Sequence, residues 1–392
     1  MNLTNEGERE RIKMRILIAP DSFKESMTAM EAAHAIEKGW RSVTGERDTF
    51  KKIPMADGGE GTTQSLHDAL GGKFVTTTVT GPLGSPVEAT YSIANEGRTA
   101  VIEMAAASGL DLVPKAQRNP LISTTYGTGE LLRHALDQGV SHIILGIGGS
   151  ATNDGGAGLL QALGVRLYDA QGNDLPFGGE ALQHLARIDR EGQDPRFDNI
   201  LFEVACDVDN PLLGYRGATA IYSQQKGATA EDQVILESAL TQWNTVIEKT
   251  LNKRVKNIPG AGAAGGLGAG LCAFLNVTLR RGIDIVLDET QFYHYALNTD
   301  LVITGEGAID GQTIYGKTPI GVAKAAKKYH KPVIAVAGVL GEGYEAVEMH
   351  GIDAVFSLST GPRSVESALK RGPDDLTELA RNMAKFSMIH HQ

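Results

Sequence analysis

The sequence predicts an α/β protein in which a doubly wound parallel-sheet domain is interrupted by a second, mixed α/β domain. Three observations predict it. Short apolar runs followed by a polar or glycine-bearing loop and an amphipathic stretch occur near both ends of the chain, as expected of strand, loop and helix repeated around a parallel sheet. The middle alternates apolar and polar residues between turn residues, which predicts antiparallel strands. The length, 392 residues, suffices for two domains with cores of their own.

The polar, charged opening MNLTNEGERERIK has no apolar centre and is no secretory signal. We expect residues 1–13 to be a disordered leader or an upstream alternative start, with the fold beginning at Met14. Ile16 to Ala19 predicts a buried strand and Thr28 to Trp40 a helix behind a polar start. Phe50 to Met55 and Thr62 to Leu70 repeat the pattern around the loop ADGGEG. Strands are then expected at Phe74 to Thr80, Val87 to Ile93 and Thr99 to Met104. A helix follows Tyr126, a strand His142 to Ile147, and a polar helix Glu231 to Glu248. The first pattern returns with strand Leu301 to Thr304, helix Pro319 to Tyr329, and strands Val333 to Ala337 and Ala354 to Leu358. The expected organisation is therefore residues 14–80 with 283–392 as the discontinuous parallel-sheet domain and 81–282 as the insert.

A formal charge of −10 argues against nucleic acid or an anionic membrane as the main partner, since both require concentrated Lys and Arg. An anionic substrate would have to be met by local positive groups. The two cysteines, Cys206 and Cys272, are too few for a disulfide framework and lack zinc-site spacing, which suits a reducing cytoplasm. The apolar stretch near Gly265 to Leu275 is far shorter than the roughly 20 residues needed to span a bilayer. The deviation in composition is glycine: 47 residues, clustered in loops.

Four loops carry the candidate chemistry. In APDSFKES, Asp21, Ser22 and Lys24 lie at a strand end, where open α/β sheets bind ligands; an ordinary capped helix start is the alternative. In MADGGEGT, Asp57 and Glu60 stand among Gly58, Gly59 and Gly61, so that backbone N–H groups can approach an anion and the carboxylates have room to act. In GIGGSATNDGGAG, between an apolar strand and a helix near Leu159, Gly148, Gly149, Ser150, Thr152 and Asn153 offer neutral donors suited to a phosphate or carboxylate. Asp154, the one acid of that loop, is a candidate general base or metal contact, with helix capping as the alternative. In ACDVDNPLLG, Asp207 and Asp209 are two apart on an extended segment, a spacing that suits Mg²⁺, and Lys226 follows in QKGA.

Two further matches are weaker. GQTIYGKT, Gly311 to Thr318, fits the phosphate-loop pattern, but the strand before it is expected to end near Thr304, too far upstream; Lys317 beside Asp310 is kept as a phosphate contact. Gly260, Gly262 and Gly265 spell a dinucleotide fingerprint after NKRVKNIP, which is no strand. Histidines such as His34, His134 and His294 are expected in core or helix-surface positions.

Taken in order, IAPDSFKES, ADGGEGT, IEMAAASGL, YGTGE, GIGGSATNDGG, CDVDNPLLG, QKGA, PGAGAAGGLG, TGEGAIDGQTIYGK and PVIAVAG resemble the first class of bacterial glycerate kinases, glycerate 2-kinase type, from Arg15 into the final third. The resemblance implies a flavodoxin-like, Rossmann-like domain interrupted by a second α/β domain, and a cytoplasmic enzyme that phosphorylates D-glycerate with ATP and Mg²⁺. On that footing Lys24, Lys226, Lys317 and the Gly148–Ser150 backbone are expected to hold carboxylate and phosphates, with Gly305 in the same set. Asp207, Asp209 or Asp310 would hold Mg²⁺, and Asp154 or Asp57 would take the hydroxyl proton. The resemblance favours the 2-phosphate, with the 3-phosphate as alternative. A nicotinamide-dependent hydroxy-acid dehydrogenase and a non-catalytic anion-binding protein are the readings from other classes; neither explains acids in nearly every glycine loop. The residues do not decide the oligomeric state.

Overall fold

A computed structural model describes residues 13–389, so the leader expected before Met14 lies outside them except for Lys13. The chain starts with strand β1 (Arg15–Ile18), helix α1 (Ala29–Thr44) and strand β2 (Thr49–Lys52). It goes on through α2 (Thr62–Leu70), β3 (Gly72–Thr80), β4 (Pro86–Ala94), β5 (Thr99–Glu103) and the single turn α3 (Ala105–Ser108). Then come α4 (Tyr126–Asp137), β6 (His142–Gly146), α5 (Ala157–Ala162), a ribbon of β7 (Arg166–Tyr168) with β8 (Arg187–Asp189), and β9 (Leu201–Ala205). Helices α6 (Ala218–Tyr222), α7 (Ala230–Leu251) and α8 (Ala263–Phe274) precede β10 (Thr278–Arg280), α9 (Gly282–Glu289) and α10 (Phe292–Leu297). The last part is β11 (Leu301–Ile309), α11 (Thr318–Lys327), β12 (Val333–Leu340), β13 (Ala354–Ser357) and α12 (Val365–Ile389).

These elements form two units: one from the chain up to Ala56 together with the chain from Leu287, the other spanning Asp57–Val286. The first unit holds an all-parallel sheet in the order β13-β12-β11-β1-β2. Its central strands are apolar on both faces, as a sheet covered by helices on both sides requires. Helix α1 starts in a capping box: Thr28 Oγ1 accepts from the Glu31 N–H and Glu31 Oε2 accepts from the Thr28 N–H, at 3.2 and 2.8 Å. Its buried stripe, with Ile36 and Trp40, joins Ile16, Ile18, Leu376 and Ala380 in the core.

The second unit holds a six-stranded sheet in the order β10-β9-β6-β5-β4-β3. Strands β3, β4 and β5 are mutually antiparallel neighbours, whereas β5, β6, β9 and β10 run parallel. Its core gathers Leu131, Ile143, Leu145, Phe202, Val204, Leu240 and Trp243. The sequence reading assigned residues 57–80 to the parallel-sheet domain. The structure places them in the second unit, because β3 pairs with β4 along its whole length and α2 packs on β4 and β5. A strand–loop–helix pattern announces its elements without saying which sheet they join. Strand β11 is also longer than expected, running to Ile309 instead of stopping near Thr304. Among the described residues no helix is long and apolar enough to cross a membrane.

Candidate functional site

In the second unit the parallel strands β5, β6, β9 and β10 end at Glu103, Gly146, Ala205 and Arg280. The loop Asp57–Gly61 lies directly against these ends. A Cβ on Gly58 would stand 2.8 Å from the Ala205 Cβ and from the Gly282 Cα, and one on Gly146 would stand 2.9 Å from the Gly58 carbonyl oxygen. A Cβ on Gly282 would meet the Asp57 carbonyl oxygen at 2.1 Å, so only glycine allows the two loops to touch. The same approach brings the Asp57 and Asp207 side chains into one neighbourhood. The Gly59 N–H donates to Asp57 Oδ1 at 3.1 Å, and the Gly282 N–H to Asp207 Oδ1 at 3.2 Å.

Residue Asp207 is exposed as a whole, but its carboxyl end is turned in against Gly58 and Gly282. That enclosure, and then the charge of Asp57, push its pKa up to about 7 against the opposing pull of the Gly282 amide and Arg281. Glu103 accepts from the Thr63 N–H at 2.8 Å, and burial, with a smaller contribution from Glu60, raises its pKa. Asp209, expected beside Asp207 as a metal ligand, is exposed and bonded to Arg216 at 2.8 Å.

The loop that follows β6 divides sharply by exposure. Gly148 and Gly149 are exposed, whereas the run from Ser150 to Leu160 is buried throughout. Among the described residues no acceptor takes the N–H of Gly148 or Gly149, while the Gly149 carbonyl oxygen accepts from Leu110. Gly149 turns the backbone there at a left-handed φ of 71°, a conformation that leaves successive amides free for an anion. A Cβ on Gly148 would lie 3.5 Å from the Gly59 Cα, which sets this tip beside the Asp57–Glu60 loop.

Behind the tip, Asp154 is fully buried. Its Oδ2 accepts from the Thr125 N–H, the Thr125 hydroxyl and the Gly158 N–H at 2.8, 2.8 and 3.2 Å, and its Oδ1 accepts from the Gly156 N–H at 3.1 Å. Burial nonetheless pushes the Asp154 pKa up. Lys226 is also buried, with Nζ donating to Ser150 Oγ and to the Thr152 carbonyl oxygen, both at 2.7 Å; burial lowers its pKa to about 7, with the Asp154 charge opposing. Asn153 Nδ2 donates to Thr219, but among the described residues Asn153 Oδ1 and Thr152 Oγ1 have no partner. Asp154, Lys226, Thr152 and Asn153 thus form the root of the loop instead of its ligand-facing tip.

The first unit carries a separate polar cluster at the ends of β1 and β11. Asp21 Oδ1 accepts from the Ser22 N–H, and its Oδ2 from the Thr318 hydroxyl at the start of α11. The Asp21 N–H donates to the Gly305 carbonyl oxygen at 2.8 Å. The Lys317 ammonium lies 3.9 Å from Glu306 and 3.8 Å from Asp310. A Cβ on Gly307 would stand 3.6 Å from the Lys24 backbone nitrogen, so the APDSFKES loop borders this cluster. Because β11 runs to Ile309, the GQTIYGKT segment does leave its strand within two residues, which removes the ground for discounting it; a 3-10 turn at Thr313–Tyr315 still separates the strand from α11. The Gly260–Gly265 fingerprint follows a loop, and its glycines pack closely on Cys206, on the Pro211 carbonyl and on the backbone of Thr152 and Asn153 in turn, which is a structural role.

Sequence reasoning named Thr318 only as the end of the GQTIYGKT match and did not name Glu306, Glu103, Arg281 or Thr125. Glu306 sits between glycines as Glu60 does and was open to the same inference. Glu103, Arg281 and Thr125 stand in ordinary helix-start or strand contexts that carry no local signal.

A parallel sheet whose strand ends carry glycine loops and carboxylates, with exposed glycines beside two acids, is the setting in which α/β enzymes place their ligand sites. Residues 16–388 match the model of the glycerate kinase family, and the chain belongs to that family. It is an enzyme, a kinase. It is 58% identical to the glycerate kinase of Halalkalibacterium halodurans over 95% of this chain and 98% of that one. It is 51% identical to the glycerate 2-kinase of Escherichia coli K12 over 95% and 97%. A crystal structure of a Salmonella typhimurium LT2 protein provisionally named glycerate kinase 2 superposes with a TM-score of 0.90 at 52% identity, covering 97% of this chain and all of that one.

Proposed function

We propose that this enzyme transfers the γ-phosphoryl group of ATP to the 2-hydroxyl of D-glycerate. The observation that carries the reading is the setting of the open Gly148 and Gly149 amides beside the Asp57–Asp207 carboxylates in the second unit. The amides supply fixed donors for an oxyanion, and the acids supply a proton acceptor and cation ligands. Nearly full-length likeness to a glycerate 2-kinase supports the substrate and the position.

Of the two expected bases, Asp57 takes the role. It is partly exposed, whereas Asp154 is sealed and its oxygens are already engaged by backbone and Thr125. Asp57 orients the 2-hydroxyl and accepts its proton as the oxygen bonds to phosphorus and the bond to the β-phosphate bridging oxygen breaks, releasing ADP. Two neighbouring carboxylates, one of them with its pKa raised first by burial and then by the other's charge, fit a hard divalent cation, and Asp207 would hold Mg²⁺. When bound, Mg²⁺ neutralises phosphate charge. The first unit has an anion-suited group of its own, Lys317 near Asp310 and Glu306 with Lys24 at its border. We place the reaction in the cytoplasm, where ATP is plentiful and the two free thiols stay reduced.

The test is ADP release from ATP with Mg²⁺ and D-glycerate, with ³¹P NMR of the product. A 2-phosphoglycerate signal is expected. A 3-phosphoglycerate signal overturns the position, and ADP release that requires another hydroxy-acid overturns the substrate.

A further inference from the structure

Lys226 is a costly residue where it stands. An ammonium buried to 2% exposure loses its hydration and is tolerated only with full hydrogen bonding, and an apolar chain of equal length would occupy the same space more cheaply. Its bonds are specific. One goes to the side chain of Ser150, the first buried residue after the exposed Gly148–Gly149 tip, and the other to the carbonyl of Thr152, two residues on. On the other side the loop is tied by its backbone, with Ala151 N–H donating to the Ser108 carbonyl and Ser123 Oγ donating to the Ala151 carbonyl. The segment is therefore clamped from both sides where it leaves the tip. Among the described residues the buried Thr152 Oγ1 and Asn153 Oδ1 find no partner, so the lysine's two bonds make up much of the side-chain hydrogen bonding that holds this segment.

Resting on the proposed anion site, we infer that Lys226 is a positioning residue for it: it touches no substrate, but fixes Ser150 and Thr152 so that the Gly148 and Gly149 amides are held toward the bound oxyanion. The lysine is carried by the turn Gln224–Lys226, which ends at Gly227 in the left-handed region. The oxyanion is a carboxylate or a phosphate, belonging either to glycerate or to ATP, and the kinetics of each substrate separate the two.

The test is steady-state kinetics of the full-length enzyme with D-glycerate and with MgATP varied in turn, for Lys226→Met, Ser150→Ala and Gly149→Val. Losing hydrogen bonds from a charged group that shapes the site is expected to raise KM for one substrate about ten- to hundredfold in Lys226→Met, and about threefold or more in Ser150→Ala. Gly149→Val, which puts a branched side chain at a left-handed φ and so displaces the backbone that carries the amides, is expected to raise KM for the same substrate. A merely structural lysine would lower the active fraction, hence kcat per total protein, and leave both KM values unchanged; that result in Lys226→Met overturns the inference. Should Lys226→Met fail to fold, Ser150→Ala decides in the same way, because it keeps the lysine. An effect of Gly149→Val without any effect of the other two overturns the lysine's role and leaves the anion site standing. Unchanged KM values in Gly149→Val overturn the anion site itself, and with it this inference.

Discussion

Asp57 and Asp154 are both aspartates in glycine loops, and their burial separates them. Replacing Asp57 with Asn keeps its shape and removes the proton acceptor, so kcat is expected to fall about 10²- to 10⁴-fold with little loss of folded protein. Asp154→Asn, by contrast, leaves four donors facing an amide in place of a carboxylate, and is expected first to lower the melting temperature. Paired melting curves and kinetics of the two variants separate these outcomes. On the proposed role of Asp207, a carboxyl with its pKa raised to about 7 is charged only above that value, so at limiting Mg²⁺ activity should climb as pH rises through about 7. Added Mg²⁺ binds the charged form alone and should move that limb to lower pH; a limb indifferent to Mg²⁺ would count against the assignment.

The candidate residues were legible to different degrees. Acids among several glycines, such as Asp57 and Glu60, mark themselves, because a plain turn does not require three glycines around two acids. Burial is not written locally. Nothing in QKGA says that Lys226 points inward, and nothing in the loop after β6 says that its exposed part stops at Gly149. The spacing of Asp207 and Asp209 suggested a pair, but Arg216, seven residues downstream of Asp209, claims the second member. One further residue is set by backbone: Ala264, at φ 53° and ψ 41°, lies in a left-handed turn ahead of the regular part of α8. A left-handed alanine costs roughly 1–2 kcal/mol, part of which a glycine returns through its larger unfolded entropy. Ala264→Gly is therefore expected to stabilise the protein by up to about 1 kcal/mol, read as a rise in melting temperature of a few degrees.

At the scale of elements, the contact of α1 with α12 in the first unit turns on Gly39. A Cβ there would fall 2.1 Å from the Thr377 carbonyl oxygen and 2.9 Å from the Ala380 Cβ. In an exposed helix a Gly-to-Ala change gains about 1 kcal/mol. Here the backbone oxygen has no room to yield, and Gly39→Ala is expected to destabilise by about 1–3 kcal/mol in denaturant titration. The end of α1 also depends on Asp48, which is buried and accepts from the Trp40 indole at 3.0 Å, from Arg47 and from the Met14 N–H. Burial pushes its carboxyl up, but Arg47, the Met14 amide and Trp40 together outweigh it and hold the pKa below the usual range. A lowered pKa means stability that is fully present above the unfolded value of roughly 3.9 and is lost as pH falls through the folded one. The advantage of the wild type over Asp48→Asn should accordingly shrink below about pH 4 in melting curves across pH. Most elements were readable from periodicity and caps, α1 with its capping box above all. Helix α12 was not, because Gly372–Pro373 reads as a break, whereas the helix continues through it.

The whole molecule is two units with separate cores, and the sequence disclosed the interruption but misplaced its start. Composition and texture change near Gly81, while pairing changes at Asp57, and pairing is a long-range property that periodicity does not carry. With two cores, heat unfolding is expected to depart from a single two-state step: the calorimetric enthalpy should exceed the van't Hoff enthalpy, and equality of the two would show that the units melt as one.

The interior position of β1, paired on one side with β2 and on the other with β11, sets a timetable for synthesis. Between Ala56 and Leu287 the ribosome must make the entire second unit, about 230 residues, which at roughly 5–20 residues per second takes on the order of ten to fifty seconds. During that interval the second unit has every strand it needs, while β1 waits with an apolar edge and no neighbour from the far end of the chain. The unit that is begun first is thus finished last, and the nascent chain is most exposed to aggregation and to chaperones while its insert is already folding.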